Sequence, residues 1–241
     1  MKRFIIFSAI IAALIIVGCK SSSQNQTDST QQTETEAITE NVADTATTPA
    51  AKYTVAQEPV PAEITAIDLG LSVKWADRNI GASAPEQSGD YYAWGETETK
   101  QEYSTQNYKW YKNVNGDILL AKKKYGPEDD VAVVKLGKPW RTPTLEEIKE
   151  LVEKCNWEWM EKNGVLGYKI SSKTNGNSIF LPCAGFFYDD SNLGGTEGGY
   201  YWSFTPEGVS YYANYLYFCD HDIDWNYIDR EYGIPVRPVC K

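Results

Sequence analysis

The clearest periodicity in the chain lies in "TPTLEEIKELVEKC". Leu145, Ile148, Leu151, Val152 and Cys155 recur at helical spacing, and charged residues take the opposite face. Thr144 stands in front as an N-cap, and Glu147 three residues on completes a capping box. Pro143 cannot extend the helix backward. This pattern predicts a core-packing helix with no chemistry of its own. A shorter helix is predicted in "GPEDDVAVVKLG": Pro127 sits in the first turn, acids follow, and Gly137 stops it.

Elsewhere the rhythm changes to alternation. "AIDLGLSVKWADRNIG" alternates around Leu71, Val73 and Trp75 and predicts early strands, and "GDYYAWGE" follows, aromatic and bounded by glycine. Residues 101–125 are polar and aromatic without a clear period and read as a long loop. Two β-like runs flank Asn175-Gly176, a hairpin signal. "GGYYWSF", "YYANYLYF" and "GIPVRPVC" supply three further strands. In the second of these, Leu216 and Phe218 are expected inside, with Tyr215 and Tyr217 on the opposite face. Strands, then helices, then a run of antiparallel strands define an α+β domain with two helices.

The amino terminus carries a different signal. Lys2 and Arg3 precede an apolar run, Phe4 to Val17, with the length of a signal h-region and too short to span a bilayer comfortably. The run closes on "IVGC", which resembles a bacterial lipobox. That resemblance implies a signal peptide over residues 1–18 and an acylated Cys19 as the mature N-terminus, anchoring the protein to the membrane outside the cytoplasm. Residues 19–62 are rich in Ser, Thr, Gln, Glu and Ala, with no aromatic before Tyr53, and predict a disordered tether. The globular domain is expected over 63–241. The segment after Cys19 lacks the dense acidic cluster that resembles a surface-export signal in gut Bacteroidetes lipoproteins. The expected location is the outer membrane, and the face it occupies is therefore left open.

A formal net charge of −10 argues against nucleic acid or anionic lipid as partner. With a single histidine, His221, and no "GxSxG" elbow, a Ser-His-Asp system has little to build on. Sites with several histidines or close cysteine pairs are excluded by count, and neither a metal nor a cofactor is expected. A carboxylate pair suited to glycoside chemistry is possible in almost any acidic domain and carries little weight. Besides Cys19, the cysteines are Cys155, Cys183, Cys219 and Cys240; an even set in an exported domain predicts two bridges, with three connectivities open.

Six ordered stretches carry a family resemblance: "DLGLSVKWADRNIGA", "GDYYAWGET", "WRTPTLEEIKEL", "NGNSIFLPCAG", "GYYWSF" and "YGIPVRPVC". Together they resemble a domain of Bacteroidetes lipoproteins akin to the Fibrobacter succinogenes major paralogous domain. "WRTPTLEEIKEL" is similar to a stretch of formylglycine-generating-enzyme-like proteins. The resemblance implies a C-type-lectin-like fold. It further implies that Cys155 pairs with Cys240 and Cys183 with Cys219. Formylglycine-generating activity uses a closely spaced cysteine pair, which Cys219 and Cys240 do not supply.

The stretch "YYANYLYFCDHDIDWNYIDREYG" gathers the candidate contact residues: Tyr211, Asn214, Asp220, His221, Asp222, Asp224, Trp225, Asn226, Tyr227 and Asp229. Asp220, Asp222 and Asp224 stand at the first, third and fifth places of an EF-hand pattern with Glu231 at the twelfth. However, Trp225 occupies the glycine position and strands flank the segment. Trp225-Asn226 matches only part of a calcium-lectin motif. The composition is that of an adaptable paratope, with aromatic area at low entropy cost and small polar groups for hydrogen bonds. It also resembles the variable region of retroelement-diversified C-type-lectin-fold proteins. The expectation is a non-enzymatic recognition domain for a protein or glycan, with Trp225 and Tyr227 as anchors. Two alternatives are kept: a structural or assembly subunit of an envelope or fimbrial complex, and a calcium-dependent lectin.

Overall fold

The computed structural model describes residues 63–122, 124–208 and 211–241. The expected signal peptide, Cys19 and tether lie outside these residues. No described helix is long and apolar enough to cross a membrane.

Two short strands, β1 (Ala66–Ile67) and β2 (Lys74–Ala76), begin the described chain, followed by β3 (Tyr91–Tyr92). The expected loop over 101–125 instead contains a hairpin, β4 (Tyr111–Val114) and β5 (Asp117–Leu120). Asn115 and Gly116 form its turn, both left-handed at φ 55° and 97°, as a two-residue turn between twisted strands requires.

Both predicted helices are present. A 3-10 turn (Pro127–Asp129) leads into α1 (Val131–Leu136). Asp130 caps α1, accepting from the Ala132 N–H at 3.0 Å, and its buried carboxylate also accepts from Thr142 Oγ1 at 2.6 Å. Helix α2 (Leu145–Lys154) has the expected capping box: Glu147 N–H donates to Thr144 Oγ1 at 3.3 Å, and Thr144 N–H to Glu147 Oε2 at 2.8 Å. Arg141 donates to the same Glu147. Ile148 and Leu151 are buried, as the pattern required.

Cys155 ends α2 and begins β6 (Cys155–Lys162), which pairs with β7 (Val165–Ser172) and through it with β8 (Ser178–Pro182). A short hairpin follows, β9 (Phe186–Tyr188) and β10 (Ser191–Leu193). Next come β11 (Gly199–Pro206), β12 (Tyr212–Cys219) and β13 (Asp222–Asp229), which form one antiparallel sheet in that order. "GIPVRPVC", expected as one strand, is two: β14 (Ile234–Pro235) pairs with β3, and β15 (Val239–Cys240) joins β2. Pro235 and Pro238 have no N–H to donate to a continuous ladder. All named pairings are antiparallel, so the domain is β-rich α+β with two helices.

The central strand β12 divides two cores. Leu216 and Phe218 join Ile148, Leu151, Ile170 and Leu181 on the α2 side, whereas Ala213 and Tyr215 join Trp94, Trp202 and Ile234 on the other. Leu216 and Phe218 are therefore inside as expected. Tyr215 is buried as well, because the opposite face is a second core rather than solvent. Gly199 sits where a Cβ would lie 2.0 Å from the Phe218 ring. Arg237 is buried and ties three segments together, donating to Asn79 Oδ1 (2.7 Å), Ala76 O (3.1 Å) and Phe180 O (2.8 Å). Its burial lowers the guanidinium to about 10.

Candidate functional site

The candidate residues concentrate on the hairpin β12–β13. Cys219 faces Asp222, so Asp220 and His221 form a two-residue turn at its tip, and pairing runs unbroken to Tyr212 opposite Asp229. Side chains alternate across the sheet. Ile223, Trp225, Tyr227 and Asp229 share a face with Phe218, Leu216, Asn214 and Tyr212, whereas Asp222, Asp224 and Asn226 take the face of Tyr217 and Tyr215. The expected cluster is thus two half-clusters.

Strand β13 is an edge. The N–H of Arg230 donates to the Tyr211 carbonyl at 3.0 Å, which fixes the phase of the ladder. Even-numbered residues of β13 bond to β12, and odd-numbered N–H groups point outward. Two of these are satisfied locally. Trp225 N–H donates to Asp224 Oδ1 and Tyr227 N–H to Asn226 Oδ1, each at 2.8 Å.

Several candidates change character in this frame. Asn214 is buried, and its amide donates to Thr205 O and Glu207 Oε2 at 3.2 Å each, so it braces β11 rather than meeting a ligand. Trp225 is half-buried beside α2, with Lys149 Nζ 5.5 Å from its ring centre. It is not the free anchor expected. Tyr227 is 53% exposed, its ring 5.4 Å from that of Tyr212. Asp220, His221, Asp222, Asp224 and Asn226 are exposed. The EF-hand pattern does not form a loop: Asp222 and Asp224 lie on a strand, and Glu231 is buried and bonded to Thr105 Oγ1 (2.8 Å) and Tyr111 (3.0 Å).

At the open end of the hairpin lies a shallow cleft of about 290 Å³ lined by Thr105, Tyr111, Ile118, Tyr211, Tyr212, Asp229 and Glu231. Its far wall is the β4–β5 hairpin that the sequence reading missed. Tyr211 donates its hydroxyl to the Ile118 carbonyl at 2.8 Å, and the Tyr111 and Tyr211 rings meet edge to face at 5.4 Å. Val114, Ile118, Leu119, Tyr211 and Tyr212 are all exposed on the elements that form it. Within the cleft the Asp229 carboxyl is pushed up to about 6, first by burial and then by the Glu231 charge.

At the turn end a second cleft, about 460 Å³, is bordered by Trp159, Tyr200, Tyr217, Cys219, Asp220 and His221. Cys219 Sγ lies 3.7 Å from the His221 ring nitrogens, and the Asp220 carboxylate contacts His221 Nδ1. Here the structure assembles a mixed sulfur, nitrogen and oxygen set that counting histidines and close cysteine pairs does not reveal.

All four domain cysteines are free thiols, so the expected Cys155–Cys240 and Cys183–Cys219 bridges are absent from the structure. Each is buried as a small apolar side chain. Burial raises the Cys155 thiol and, with the neighbouring Cys219 charge, pushes Cys183 up to about 12. No protein family, curated protein or solved structure matches the chain.

Proposed function

We propose that the protein is a lipid-anchored, extracytoplasmic recognition domain of C-type-lectin-like fold that binds a protein or glycan without catalysis. The observation that carries this reading is the cleft between β4–β5 and β12–β13. Its exposed tyrosines offer rigid, amphipathic area, and its carboxyl groups offer hydrogen-bond acceptors. The β-rich architecture with two helices is compatible with the fold that the six sequence stretches resemble. The "IVGC" junction supports the anchor.

The test is a glycan and protein array probed with the full chain, repeated with Tyr227→Ala, Tyr211→Ala and Leu151→Ala. Binding to a defined ligand that is lost with either tyrosine, while both variants stay folded, supports the reading. No ligand, or a ligand indifferent to both tyrosines, refutes it. Fatty-acid labelling that survives Cys19→Ser would remove the anchor.

One observation favours a second reading. A carboxyl raised to about 6 beside a charged partner is also an arrangement found in glycoside hydrolysis. Released sugar from an array hit, lost in Asp229→Asn, would replace binding with catalysis.

A further inference from the structure

We propose that Cys219, Asp220 and His221 form a binding site for one divalent transition metal of the zinc type. One ligand atom from each residue lies within 4.8 Å of the other two. The separation of Cys219 Sγ from the imidazole nitrogens, 3.7 Å, is close to what a shared ion imposes. Zinc–sulfur and zinc–nitrogen bonds of about 2.3 and 2.0–2.1 Å at tetrahedral angles place sulfur and nitrogen roughly 3.6 Å apart. Both ring nitrogens lie at that distance from the sulfur, and Asp220 contacts Nδ1, which leaves Nε2 as the nitrogen to meet the ion.

The anchor of the site is rigid. Cys219 is buried at the last position of β12, paired across the sheet with Asp222, and its carbonyl accepts from the Tyr168 hydroxyl at 3.1 Å. The two-residue turn then carries Asp220 and His221, whose ligand atoms lie beside that sulfur. Tyr217 stands two residues before Cys219 on β12 and so lies on the same sheet face, beside the proposed ion. Softness decides the metal: thiolate and imidazole favour zinc over calcium or magnesium. Three protein ligands leave a fourth position facing the 460 Å³ cleft with Trp159, Tyr200 and Tyr217, where water or an oxygen of a bound molecule completes the sphere. Binding releases the thiol proton to solvent. The site stands apart from the tyrosine cleft, at the other end of an eight-residue strand, roughly 24 Å away, and does not depend on the reading given to that cleft.

The experiment titrates the full chain, metal-free and reduced, with Co²⁺ and then Zn²⁺. The expected result is one equivalent of Co²⁺ with a near-ultraviolet thiolate-to-cobalt absorption that Zn²⁺ abolishes. Cys219→Ser removes the absorption, and Cys155→Ser keeps it. His221→Ala alters a side chain that is 81% exposed and leaves metal-free unfolding unchanged. It weakens Co²⁺ and Zn²⁺ binding on the order of tenfold or more. The proposal is overturned by unsaturable uptake, by an absorption that survives Cys219→Ser, or by unchanged affinity in His221→Ala. A Cys183–Cys219 disulfide in protein isolated from its native compartment without reductant also overturns it, since a bridged Cys219 has no thiolate to give.

Discussion

Replacing Asp229 by Asn isolates the electrostatics of the tyrosine cleft. In the folded protein the Asp229 carboxyl rises from 3.8 to about 6, through burial and then through the charge of Glu231. A folded value above the unfolded one means that the native state holds the proton more tightly. That contribution to stability is fully present below about pH 3.8 and is lost as pH climbs through about 6. At about 1.4 kcal/mol per pH unit, the rise sets a ceiling near 3 kcal/mol. Asp229 is only half-buried at the rim of an open cleft, and solvent screening reduces the figure to roughly 1 kcal/mol.

Asn has the shape of the protonated acid and carries no charge. Asp229→Asn should therefore match the parent at pH 4 and exceed its stability by about 1 kcal/mol at pH 7.5. The assay is urea unfolding followed by tryptophan fluorescence across that range, read as variant minus parent. The difference is needed because Glu86, Glu147 and Glu150 shift the other way. Each is lowered in the folded state, so their contributions grow as pH rises. A difference independent of pH, or one that favours the variant in acid, would refute the reasoning.

Three further outcomes follow from the packing. Leu151→Ala, at a fully buried position under the sheet, should lower the unfolding free energy by about 2–5 kcal/mol in the same urea assay. Arg237→Ala removes a buried guanidinium that serves three acceptors on two other segments, 76–79 and 178–182, and should cost roughly 3–5 kcal/mol, read as a lowered thermal midpoint. Tyr227→Ala should change ligand-free stability by less than about 0.5 kcal/mol, whereas Trp225→Ala, half-buried beside α2, should cost about 1–2 kcal/mol. Equal stability of the last two variants would show that Trp225 makes no packing contribution.

Helix α2 was legible because two independent signals agree: the spacing of Ile148 and Leu151, and the Thr144–Glu147 box. Strand β12 was legible by alternation, but which face met solvent was not. That depends on Trp202 and Ile234, distant in sequence, covering Tyr215. The β4–β5 hairpin carried a readable sign, Asn115-Gly116. Yet Val114, Ile118 and Leu119 are exposed, so its strands show no inward-outward rhythm. Strand β6 was missed for a different reason. Cys155 is at once the last cap of α2 and the first strand residue, so no loop residues separate the two periods, and only Asn163-Gly164 marks the far end. The cleft was illegible from local pattern, since it depends on Tyr211 reaching the Ile118 carbonyl in a separate hairpin.

The acidic and amide residues of β13 were expected to serve recognition, but the edge position gives some of them another duty. An edge strand of this length offers unpaired N–H groups to any passing strand. Asp224 and Asn226 occupy the N–H groups of Trp225 and Tyr227 with their own side chains, and the charges along the strand oppose a second copy. The same arrangement weighs against strand addition as a route to fimbrial assembly, because an incoming strand would have to displace both side chains. Tyr227 has no comparable duty to the fold. It stands 53% exposed on the far side of the strand from those acids, against Tyr212 at the cleft. A side chain that the fold does not need and that leaves apolar area in water is the stronger candidate for contact. The recognition reading therefore rests on the tyrosines and on Asp229, and the alternating Asp and Asn residues guard the edge beside them.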